Sequence, residues 1–359
     1  LNICVDDKNK GVFNKIIWNG EDSFLDAAKF ILEQIDPYKL TLYLFSENEY
    51  NSAIEIWGKS ILRRKDDPEA HYYLGIAYAL LKDNNIDESI REFKLAIEYA
   101  PNFTEAYFNL GVSYDSVGRK KEAIEQYKLA IKKKPDYAEA YNNLGAAYDY
   151  MGQSDNATKA YKLAIKYKPD FAKAHYNLGQ SYLKKNQEAE AVKEFELATK
   201  YKPDLVEARY NLGRAYLKQN KKAAAVKEFE LAIIFKPDLA EAYFSLGDIY
   251  FKEGRKKEAI EQYKLAIKHK PDFSEVHYGL WQAYLTTNQK DEAAKEFKLA
   301  VKYEYDFAEV YYNFGVSYDS IGKKKEAIEQ YKKAVKKKPD FAEAYNNLGA
   351  AYDYMGQSD

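Results

Sequence analysis

A short motif recurs along this chain every 34 residues, and that spacing limits the folds that the chain can adopt. The motif is an apolar residue, then a glycine, then a tyrosine three positions after the glycine. Its copies begin at Leu110, Leu144, Leu178, Leu212, Leu246, Phe314 and Leu348. A fixed period of this size is typical of a solenoid, in which similar units stack in a row. Because a solenoid has no deep central pocket, we expect its function to lie on a long surface.

Each period contains two amphipathic segments. In residues 138–171, one set of side chains falls at the spacing of a helix face, i, i+3, i+4 and i+7, and consists of Tyr141, Leu144, Gly145 and Tyr148. A second set has helical spacing as well and consists of Ala157, Ala160, Tyr161, Ala164 and Ile165. The pattern predicts two helices per period, which cross at their small residues and bury their tyrosines.

Residues that end helices separate these segments. Only glycine or asparagine follows the first helix, at 118, 152, 186, 220, 254, 288, 322 and 356. Both residue types tolerate the left-handed conformation that ends a helix. The second helix ends before Pro101, Pro135, Pro169, Pro203, Pro237, Pro271 and Pro339. Because proline cannot continue a helix, these positions predict the boundaries between units.

The order aromatic, Leu-Gly, Tyr, Ala, aromatic, Ala and Pro at these offsets resembles the tetratricopeptide repeat. The resemblance implies an all-α fold, an α-solenoid of tandem helix-turn-helix units that wind into a right-handed superhelix. Residues 68–341 are expected to form eight such units, the first lengthened by Asn84 and Asn85 in its turn. Residues 342–359 are expected to form the first helix of a further, truncated unit.

The N-terminal part follows the pattern less closely. Residues 34–67 are predicted to form a degenerate unit, because Leu40, Leu44, Asn48, Ala53 and Trp57 fall at the expected positions. Residues 1–33 are expected to be an N-terminal segment with one capping helix over 22–35, and residues 1–20 lead to no interpretation. The chain begins at Leu1 and ends at Asp359 in the turn after a helix, which predicts an excerpt from a longer protein.

An internal duplication is also visible, because residues 102–155 and 306–359 are nearly identical. Their offset is 204 residues, or six repeats, which in the superhelix of this family approaches one full turn. One interpretation is the copying of a gene segment, which we favour. The other is that similar surfaces recur on one side of the superhelix, so that molecules stack or a partner docks periodically.

Composition narrows the range of ligands and compartments. The net charge is −1, whereas a chain that follows phosphates is usually basic, so nucleic acid is not an expected partner. No apolar run is long enough to span a bilayer, so no membrane insertion is expected. Cys4 is the only cysteine, which leaves the cytoplasm, the favoured compartment, or an extracytoplasmic space without disulfides.

Catalytic residues are not apparent in the sequence. His71, His175 and His277 occupy the position that holds tyrosine in other units, which indicates a packing role, and His269 lies in a lysine-rich helix end. No metal-ligand spacing, phosphate-binding loop or nucleophile elbow is present in the sequence. We therefore predict a protein that is not an enzyme and that needs no cofactor or metal.

Asparagine recurs at the position before the Leu-Gly pair, which in this family points into the groove of the superhelix. These residues, called the ladder here, are Asn109, Asn143, Asn177, Asn211, Asn313 and Asn347. Tyr73 begins the series, and Ser245 and Gly279 interrupt it. The ladder resembles that of the O-GlcNAc transferase superhelix, which implies that its amides pair with the backbone of an extended peptide. Asparagine is also common at this position throughout the family, whatever the ligand.

Side chains beside the ladder suggest the character of the ligand. Four aromatic residues precede ladder positions on the same helices, Tyr176, Tyr210, Phe244 and Tyr312. Four basic residues follow in the middle of the array, Lys184, Arg214, Lys218 and Lys252, whereas the outer repeats carry aspartates. This distribution predicts an extended ligand with acidic residues at its centre. The alternative is a mixed-charge surface that contacts only solvent.

Two further places depart from the repeat. Trp281 stands where other units have glycine, so we expect its indole to spread the two helices or turn outward, with a local change of superhelix pitch. The last helix carries Leu348 and Tyr352 without a second helix to cover them, which predicts self-association there.

Three functional hypotheses follow from the sequence. The first is a scaffold that binds a peptide or protein segment in its groove. The second is a structural protein that forms a homo-oligomer through its ends. The third is the recognition arm of a larger enzyme that resembles O-GlcNAc transferase.

Overall fold

The computed structural model describes residues 2–7, 12–17, 37–81, 85–303 and 308–356. The chain divides into two compact units, residues 1–203 and residues 204–359. At its start, β1 (Asn2–Asp7) and β2 (Val12–Ile17) form an antiparallel hairpin in which Asn2 pairs with Ile17. The sequence led to no interpretation of this hairpin. The capping helix predicted over 22–35 lies outside the described residues.

Ten helices are described in unit 1, the first unit, and they follow one another as pairs. They are α1 (Pro37–Ser46), α2 (Tyr50–Arg63), α3 (Pro68–Leu80), α4 (Ile86–Tyr99), α5 (Thr104–Ser116), α6 (Lys120–Lys133), α7 (Ala138–Tyr150), α8 (Ser154–Tyr167), α9 (Ala172–Lys184) and α10 (Glu188–Tyr201).

Nine helices are described in unit 2, the second unit, and the last of them has no second helix after it in the described residues. They are α11 (Val206–Lys218), α12 (Lys222–Phe235), α13 (Ala240–Lys252), α14 (Lys256–His269), α15 (Ser274–Thr286), α16 (Lys290–Lys302), α17 (Ala308–Ser320), α18 (Lys324–Lys337) and α19 (Ala342–Tyr354). Both units are therefore built from helical repeats, and the prediction of an all-α solenoid is confirmed.

The turns between paired helices have the expected backbone conformation. Gly152 has a φ of 73° and Asn186 a φ of 57°, and the equivalent residues of the other described turns are also in the left-handed region. After α7 the amide of Gln153 donates to the carbonyl of Tyr148 at 2.9 Å, and Gly152 donates to Asp149 at 3.1 Å. These bonds satisfy carbonyl groups at the helix end, so a left-handed residue stops each first helix at the same place.

An aromatic ring packed on a glycine forms the centre of the helix pairs that carry the Leu-Gly or Phe-Gly motif. A Cβ atom added to Gly145 would lie 2.5 Å from Cε1 of Tyr161, and one added to Gly213 would lie 2.7 Å from Cε1 of Phe229. No real side chain tolerates such distances, so glycine allows the two helices to approach closely. The rings themselves are buried, with Tyr161 2% exposed and Phe229 0% exposed. Packing of this kind explains why the motif repeats.

Trp281 replaces this glycine in one pair of unit 2. Its indole is only 5% exposed, so the expectation that it turns outward is wrong. The centre of its ring lies 4.5 Å from that of Phe314 in the next helix pair. Phe297, the central aromatic residue of the pair that contains Trp281, also packs on Phe314, with ring centres 3.7 Å apart. A cavity of about 40 Å³ lies beside these three side chains. The indole is thus accommodated by contact with the next helix pair, and the change of superhelix pitch remains a prediction.

The three histidines at the tyrosine position are buried and pack on tyrosine rings, as a packing role requires, but each also forms a hydrogen bond with a glutamate. Nδ1 of His175 lies 2.6 Å from Oε2 of Glu194, and Nε2 lies 3.0 Å from the carbonyl oxygen of Pro169. The pairs His71–Glu92 and His277–Glu296 have the same Nδ1–Oε2 distance. The sequence interpretation did not include these bonds.

The acidic partner depends on the residue of the first helix. Glutamate precedes the central aromatic residue of the second helix where the first helix carries histidine or arginine, as in the pair Arg209–Glu228 with an N–O distance of 2.8 Å. Where the first helix carries tyrosine, the same position holds Gln126, Ala160, Gln262 or Gln330. Because a carboxylate that is buried or partly buried is costly to leave without a partner, each first helix is matched to its own second helix.

Candidate functional site

The ladder asparagines are half-buried and form hydrogen bonds within their own unit. In unit 1, Nδ2 of Asn109 donates to the hydroxyl of Tyr72 at 3.0 Å, and Nδ2 of Asn177 donates to Oδ1 of Asn142 at 2.9 Å. Oδ1 of Asn143 accepts from Nδ2 of Asn142 at 3.2 Å. The first two of these bonds connect a first helix to the first helix of the preceding repeat, whereas the third joins neighbours on α7.

Unit 2 contains the same kind of contact. Nδ2 of Asn313 donates to the hydroxyl of Tyr278 at 3.1 Å, and Nδ2 of Asn347 donates to that of Tyr312 at 3.3 Å. Asn211 instead donates to the carbonyl of Glu207, one turn earlier on its own helix. A primary amide has two N–H groups and one carbonyl, so part of its capacity serves the fold before any ligand binds.

A groove of about 630 Å³ lies in unit 2 and brings several predicted residues together. It is lined by five of them, Tyr210, Arg214, Lys218, Phe244 and Lys252. It is lined as well by residues that the sequence analysis did not select, among them Lys222, Asp248, Ile249, Phe273 and Glu275. Ser245, one of the two interruptions of the ladder, also lies in its wall. The groove therefore coincides with the place where asparagine is missing.

Aromatic side chains form the apolar part of this groove, which will be called the unit 2 groove. Phe244 contacts the ring of Phe273 at 5.3 Å and that of Tyr263 at 6.0 Å. Tyr210 packs 5.7 Å from Phe229. Each of these rings is fixed by the central aromatic residue of a helix pair, so the groove is preformed. Preformed apolar surface lowers the entropy lost on binding.

Charge in the unit 2 groove is mainly positive. Its lining contains Arg214, Lys218, Lys222 and Lys252 against the two carboxylates of Asp248 and Glu275. The guanidinium of Arg214 lies 5.9 Å from the ring centre of Tyr210, within the range of a cation–π contact. An acidic ligand would meet basic groups on both first helices of the groove, α11 and α13.

Asp248 is one of the two acidic residues among these basic side chains. Burial raises the pKa of Asp248, although the hydroxyl of Tyr263, which donates to Oδ1 at 2.7 Å, and the nearby Lys252 both oppose the rise. One sequence signal could have identified this residue, because Asp248 stands at the position that Arg214 holds 34 residues earlier. Because the outer repeats also carry aspartates, Asp248 did not stand out in the sequence.

Other predicted residues lie elsewhere. In unit 1, Nζ of Lys184 lies 3.3 Å from Oδ1 of Asp149, and the hydroxyl of Tyr176 accepts from Nε2 of Gln180 at 2.9 Å. In unit 2, Tyr312 contacts Phe341 at 5.0 Å and does not line the unit 2 groove. Lys184 therefore already has an acidic partner.

The two residues predicted for self-association are partly covered. Leu348 and Tyr352 pack against a cluster in α18 that contains Ala327, Ile328 and Tyr331. Gly349, between them, is different, because in the described part of the chain no heavy atom lies within 4 Å of the place where its Cβ would be. The open part of α19 is thus centred on the glycine.

Two features, a metal-binding cluster and a membrane-spanning helix, are not found among the described residues. No group of three or more histidine, cysteine, aspartate or glutamate side chains there is arranged to hold a metal ion. The helices there are also too short or too polar to cross a membrane.

Comparison with known families gives matches over most of the chain. Profiles described as TPR repeat match residues 116–149, 150–186, 179–220 and 317–356. Profiles described as tetratricopeptide repeat match residues 70–103, 210–272 and 250–312. No curated protein has a sequence that matches this chain.

Solved structures of repeat proteins are also similar. The C-terminal part of a TPR repeat-containing protein from Cytophaga hutchinsonii has a TM-score of 0.53 at 20% identity, over 67% of this chain and 98% of that one. The APC/C hetero-tetramer Cut9–Hcn1 has a TM-score of 0.53 at 12% identity, over 88% and 75%. A MamA crystal structure is 29% identical over 45% and 93%, with a TM-score of 0.41.

The fold of the first two structures agrees with the helix pairs described above. The family profiles identify the same repeats directly from the sequence. This chain belongs to the tetratricopeptide repeat family.

Proposed function

We propose that this protein is a scaffold without enzymatic activity that binds an extended, acidic segment of a peptide or protein, and that the unit 2 groove is its main binding site. Membership of the tetratricopeptide repeat family supports a role in protein interaction. The observation that carries the finer proposal is the lining of the groove, where four basic side chains surround the rings of Tyr210, Phe244 and Phe273.

Magnitudes favour the groove over the ladder as the source of affinity. A net hydrogen bond contributes roughly 0.5–1.5 kcal/mol, whereas ordering each peptide residue costs about 1–2 kcal/mol. Asn313 and Asn347 also each spend a donor on a tyrosine of the preceding repeat. Backbone pairing along the ladder thus roughly breaks even, and affinity depends on side chains that enter the groove.

Apolar burial can supply that affinity. Removing apolar surface from water contributes about 25 cal/mol per Å², so one buried aromatic side chain of a ligand adds roughly 1.5–3 kcal/mol. The groove volume of about 630 Å³ exceeds the space that such a side chain needs. Acidic residues on either side of it would contact Arg214 and Lys252. We therefore expect a ligand with an aromatic or large aliphatic residue between carboxylates.

A peptide-display library tests this proposal. Extended random peptides of about twelve residues are selected on the full chain, and we expect enrichment of aspartate and glutamate around an apolar residue. Charge reversal at two groove residues, Arg214→Glu with Lys252→Glu, should weaken the selected peptides about tenfold or more, because a cation on each helix becomes an anion.

A matched control distinguishes groove charge from overall charge. Lys257 is exposed on α14 and is not one of the residues that line the groove. Lys257→Glu makes the same change in net charge as either single groove variant, Arg214→Glu or Lys252→Glu, and should leave affinity within about twofold, whereas each single groove variant should weaken binding more than that. Selection of peptides without acidic enrichment, or equal losses in the groove and control variants, would overturn the proposal.

A further inference from the structure

The cavity beside Trp281 lies where α16 carries a smaller residue than the second helices of the other pairs. Alanine stands at 294, whereas the equivalent residue in the other seven pairs of residues 68–341 is β-branched, as Ile90, Ile124, Thr158, Val192, Val226, Ile260 or Ile328. In the two neighbouring pairs this side chain is nearly buried, with Ile260 7% and Ile328 8% exposed. Ala294 is exposed and lines the cavity of about 40 Å³. The space that isoleucine fills in those pairs is therefore open to solvent here.

Apolar and aromatic side chains form the walls of this cavity, which will be called the α16 pocket. Leu285 of α15, Phe297 of α16 and Tyr318 of α17 contribute to it, together with Trp281 and Phe314. The rings hold one another in place, because the ring centres of Phe297 and Tyr318 are 5.4 Å apart and those of Trp281 and Phe314 are 4.5 Å apart. Benzene fits apolar cavities of about 150 Å³, so the smaller α16 pocket suits the end of a branched aliphatic side chain.

A lysine at the α16 pocket has no counterpart of the acidic partner that equivalent lysines have. Lys120 forms an ion pair with Asp115 at 2.7 Å, and Lys324 has an aspartate partner at the same spacing. Five residues before Lys290 the chain has Leu285 instead. Lys290 lines the pocket, and its side chain forms no ion pair or hydrogen bond with the described residues. The pocket therefore combines a space for an aliphatic group with an unpaired positive charge.

We infer that the α16 pocket binds an isoleucine, leucine or valine side chain of a partner polypeptide, and that Lys290 pairs with a carboxylate next to that residue. The chain itself places isoleucine in the equivalent space of α14 and α18, at Ile260 and Ile328. Burial removes the aliphatic group from water, and the carboxylate supplies the charge that Lys290 lacks.

The size of the pocket favours a polypeptide over a small acid as the source of these groups. Burying one aliphatic side chain strengthens binding about ten- to hundredfold, so a free branched acid would bind only at millimolar concentrations or above. A polypeptide adds contacts outside the pocket. Of the described residues that line the α16 pocket, none also lines the unit 2 groove, so the inference does not depend on the proposed ligand.

Three substitutions separate the α16 pocket from the rest of the surface. Ala294→Ile fills it and should leave the fold intact, because α14 and α18 carry isoleucine at the same position. Lys290→Gln removes the charge at an exposed position and keeps the pocket open. Lys298→Gln is the matched control, because Lys298 is exposed on the same helix and is not one of the residues that line the pocket.

The first experiment selects random peptides on the full chain with a reversed unit 2 groove, Arg214→Glu with Lys252→Glu, so that ligands of the groove are removed. The same chain with Ala294→Ile added serves for counter-selection. We expect the surviving peptides to share isoleucine, leucine or valine beside aspartate or glutamate. Their affinity should fall about tenfold or more with Ala294→Ile, about threefold with Lys290→Gln and less than about twofold with Lys298→Gln.

Fluorine NMR then locates the site on the protein. The chain is labelled with 5-fluorotryptophan, and the signal of Trp281 is assigned by its loss in Trp281→Phe. The best selected peptide should shift this signal in a saturable way. Its variant with alanine in place of the aliphatic residue, and the free acid 4-methylpentanoate, should need at least tenfold higher concentrations.

The inference is overturned if no peptide survives the counter-selection, if the survivors lack the aliphatic residue, or if Lys290→Gln and Lys298→Gln have equal effects. It is also overturned if 4-methylpentanoate shifts the Trp281 signal at the same concentration as the peptide, which would assign the pocket to a small acid. Thermal denaturation checks the fold of Ala294→Ile. If that variant is destabilised, Lys290→Gln and the alanine variant of the peptide decide in its place, and unchanged binding in both overturns the inference.

Discussion

Helices α7 and α19 have the same amino-acid sequence and different surroundings, and the comparison separates what a repeat owes to its sequence from what it owes to its neighbours. Both are helices of the same length, Ala138–Tyr150 and Ala342–Tyr354, and both end at a left-handed glycine. Their buried residues differ. Leu144 and Asn142 are buried in unit 1, whereas Leu348 is half-buried and Asn346 is exposed.

The difference shows that the helix itself is specified locally and its burial is not. Spacing of apolar residues, the terminal glycine and the preceding proline are present in both copies, and both fold as helices. The cost of changing a residue depends instead on the second helix that packs over it. Four predictions use this contrast, and they are arranged from the largest expected effect to the smallest.

Removing the ring of Tyr161, which covers α7, should make α7 resemble its uncovered copy α19. Tyr161 is 2% exposed and lies over Gly145. Tyr161→Ala should destabilise unit 1 by about 3–5 kcal/mol, because a large buried aromatic side chain is lost and a cavity remains. Urea denaturation followed by circular dichroism measures the change. A loss below about 1 kcal/mol would contradict the packing role of this ring.

The same substitution at the two equivalent glycines should have opposite effects. Gly145→Ala places a methyl group against Tyr161 and should destabilise the chain by about 1–3 kcal/mol. Gly349→Ala meets no described atom and should stabilise α19 by roughly 0.5–1 kcal/mol, because alanine favours helix over glycine. Hydrogen exchange resolved by residue measures both changes. The contrast fails if the two variants shift in the same direction.

The asparagine that follows Tyr141 should contribute to stability because it is buried, whereas the one that follows Tyr345 is exposed and should contribute little. Asn142 donates to Asn143 and accepts from Asn177 at 2.9 Å. Asn142→Ala should cost about 1–2 kcal/mol, since it leaves the amide of Asn177 without this partner. Asn346→Ala, at an exposed position, should stay within about 0.5 kcal/mol. Thermal denaturation of the two variants side by side makes the comparison.

The smallest expected effect concerns His175. This residue lies in α9, the helix that follows the pair α7–α8, and the described residues contain no corresponding helix after α19. Burial by itself lowers the pKa of His175, but hydrogen bonds to Glu194 and to the carbonyl of Pro169, together with the charge of Glu194, outweigh it and raise the pKa above the ordinary value of 6.5. A charged imidazole donates from both nitrogens, and both find acceptors here. The stabilisation is therefore complete below pH 6.5 and is lost as the pH rises through the raised pKa.

The measurement is the free energy of unfolding as a function of pH. The chain should lose stability as the pH rises above 6.5, and His277, whose pKa is raised against the effect of burial by the same kinds of contact with Glu296 and Pro271, contributes in unit 2. The double variant His175→Tyr with Glu194→Gln copies the tyrosine-type pair and should flatten the part of the profile that belongs to unit 1. An unchanged profile in this variant would assign the pH dependence to other groups.

Much of the fold could be predicted because its determinants are local. Glycine or asparagine at 118, 152, 186 and 220 stops each first helix, and the prolines separate the repeats. The closeness of Gly145 to Tyr161 also follows from their spacing within one pair. The hairpin of β1 and β2 and the division at residue 203 do not follow from the repeat, so the sequence pattern contained no signal for either.

The candidate site could be predicted only in part. The basic residues Arg214, Lys218 and Lys252 were evident as a cluster in the middle of the array, and Asp248, one turn from Phe244 on α13, could have been added by helical spacing. Phe273 enters the unit 2 groove through the relative placement of successive helices. The tyrosine partners of Asn313 and Asn347 depend on the same placement. The pairing of histidine with glutamate could have been found, because the two residue types change together from repeat to repeat.

This matched pairing has a consequence for how such an array can lengthen. A recombination event that joined the first helix of a tyrosine-type repeat to the second helix of a histidine-type repeat would leave Glu194 or Glu296, both partly buried, without its histidine partner. Leaving such a group without its hydrogen bond costs about 1–3 kcal/mol, a sizeable part of the stability of a domain. Viable crossovers therefore fall between repeats or exchange pairs of one type, and gene rearrangement in this chain is constrained to inherit both halves of a repeat together.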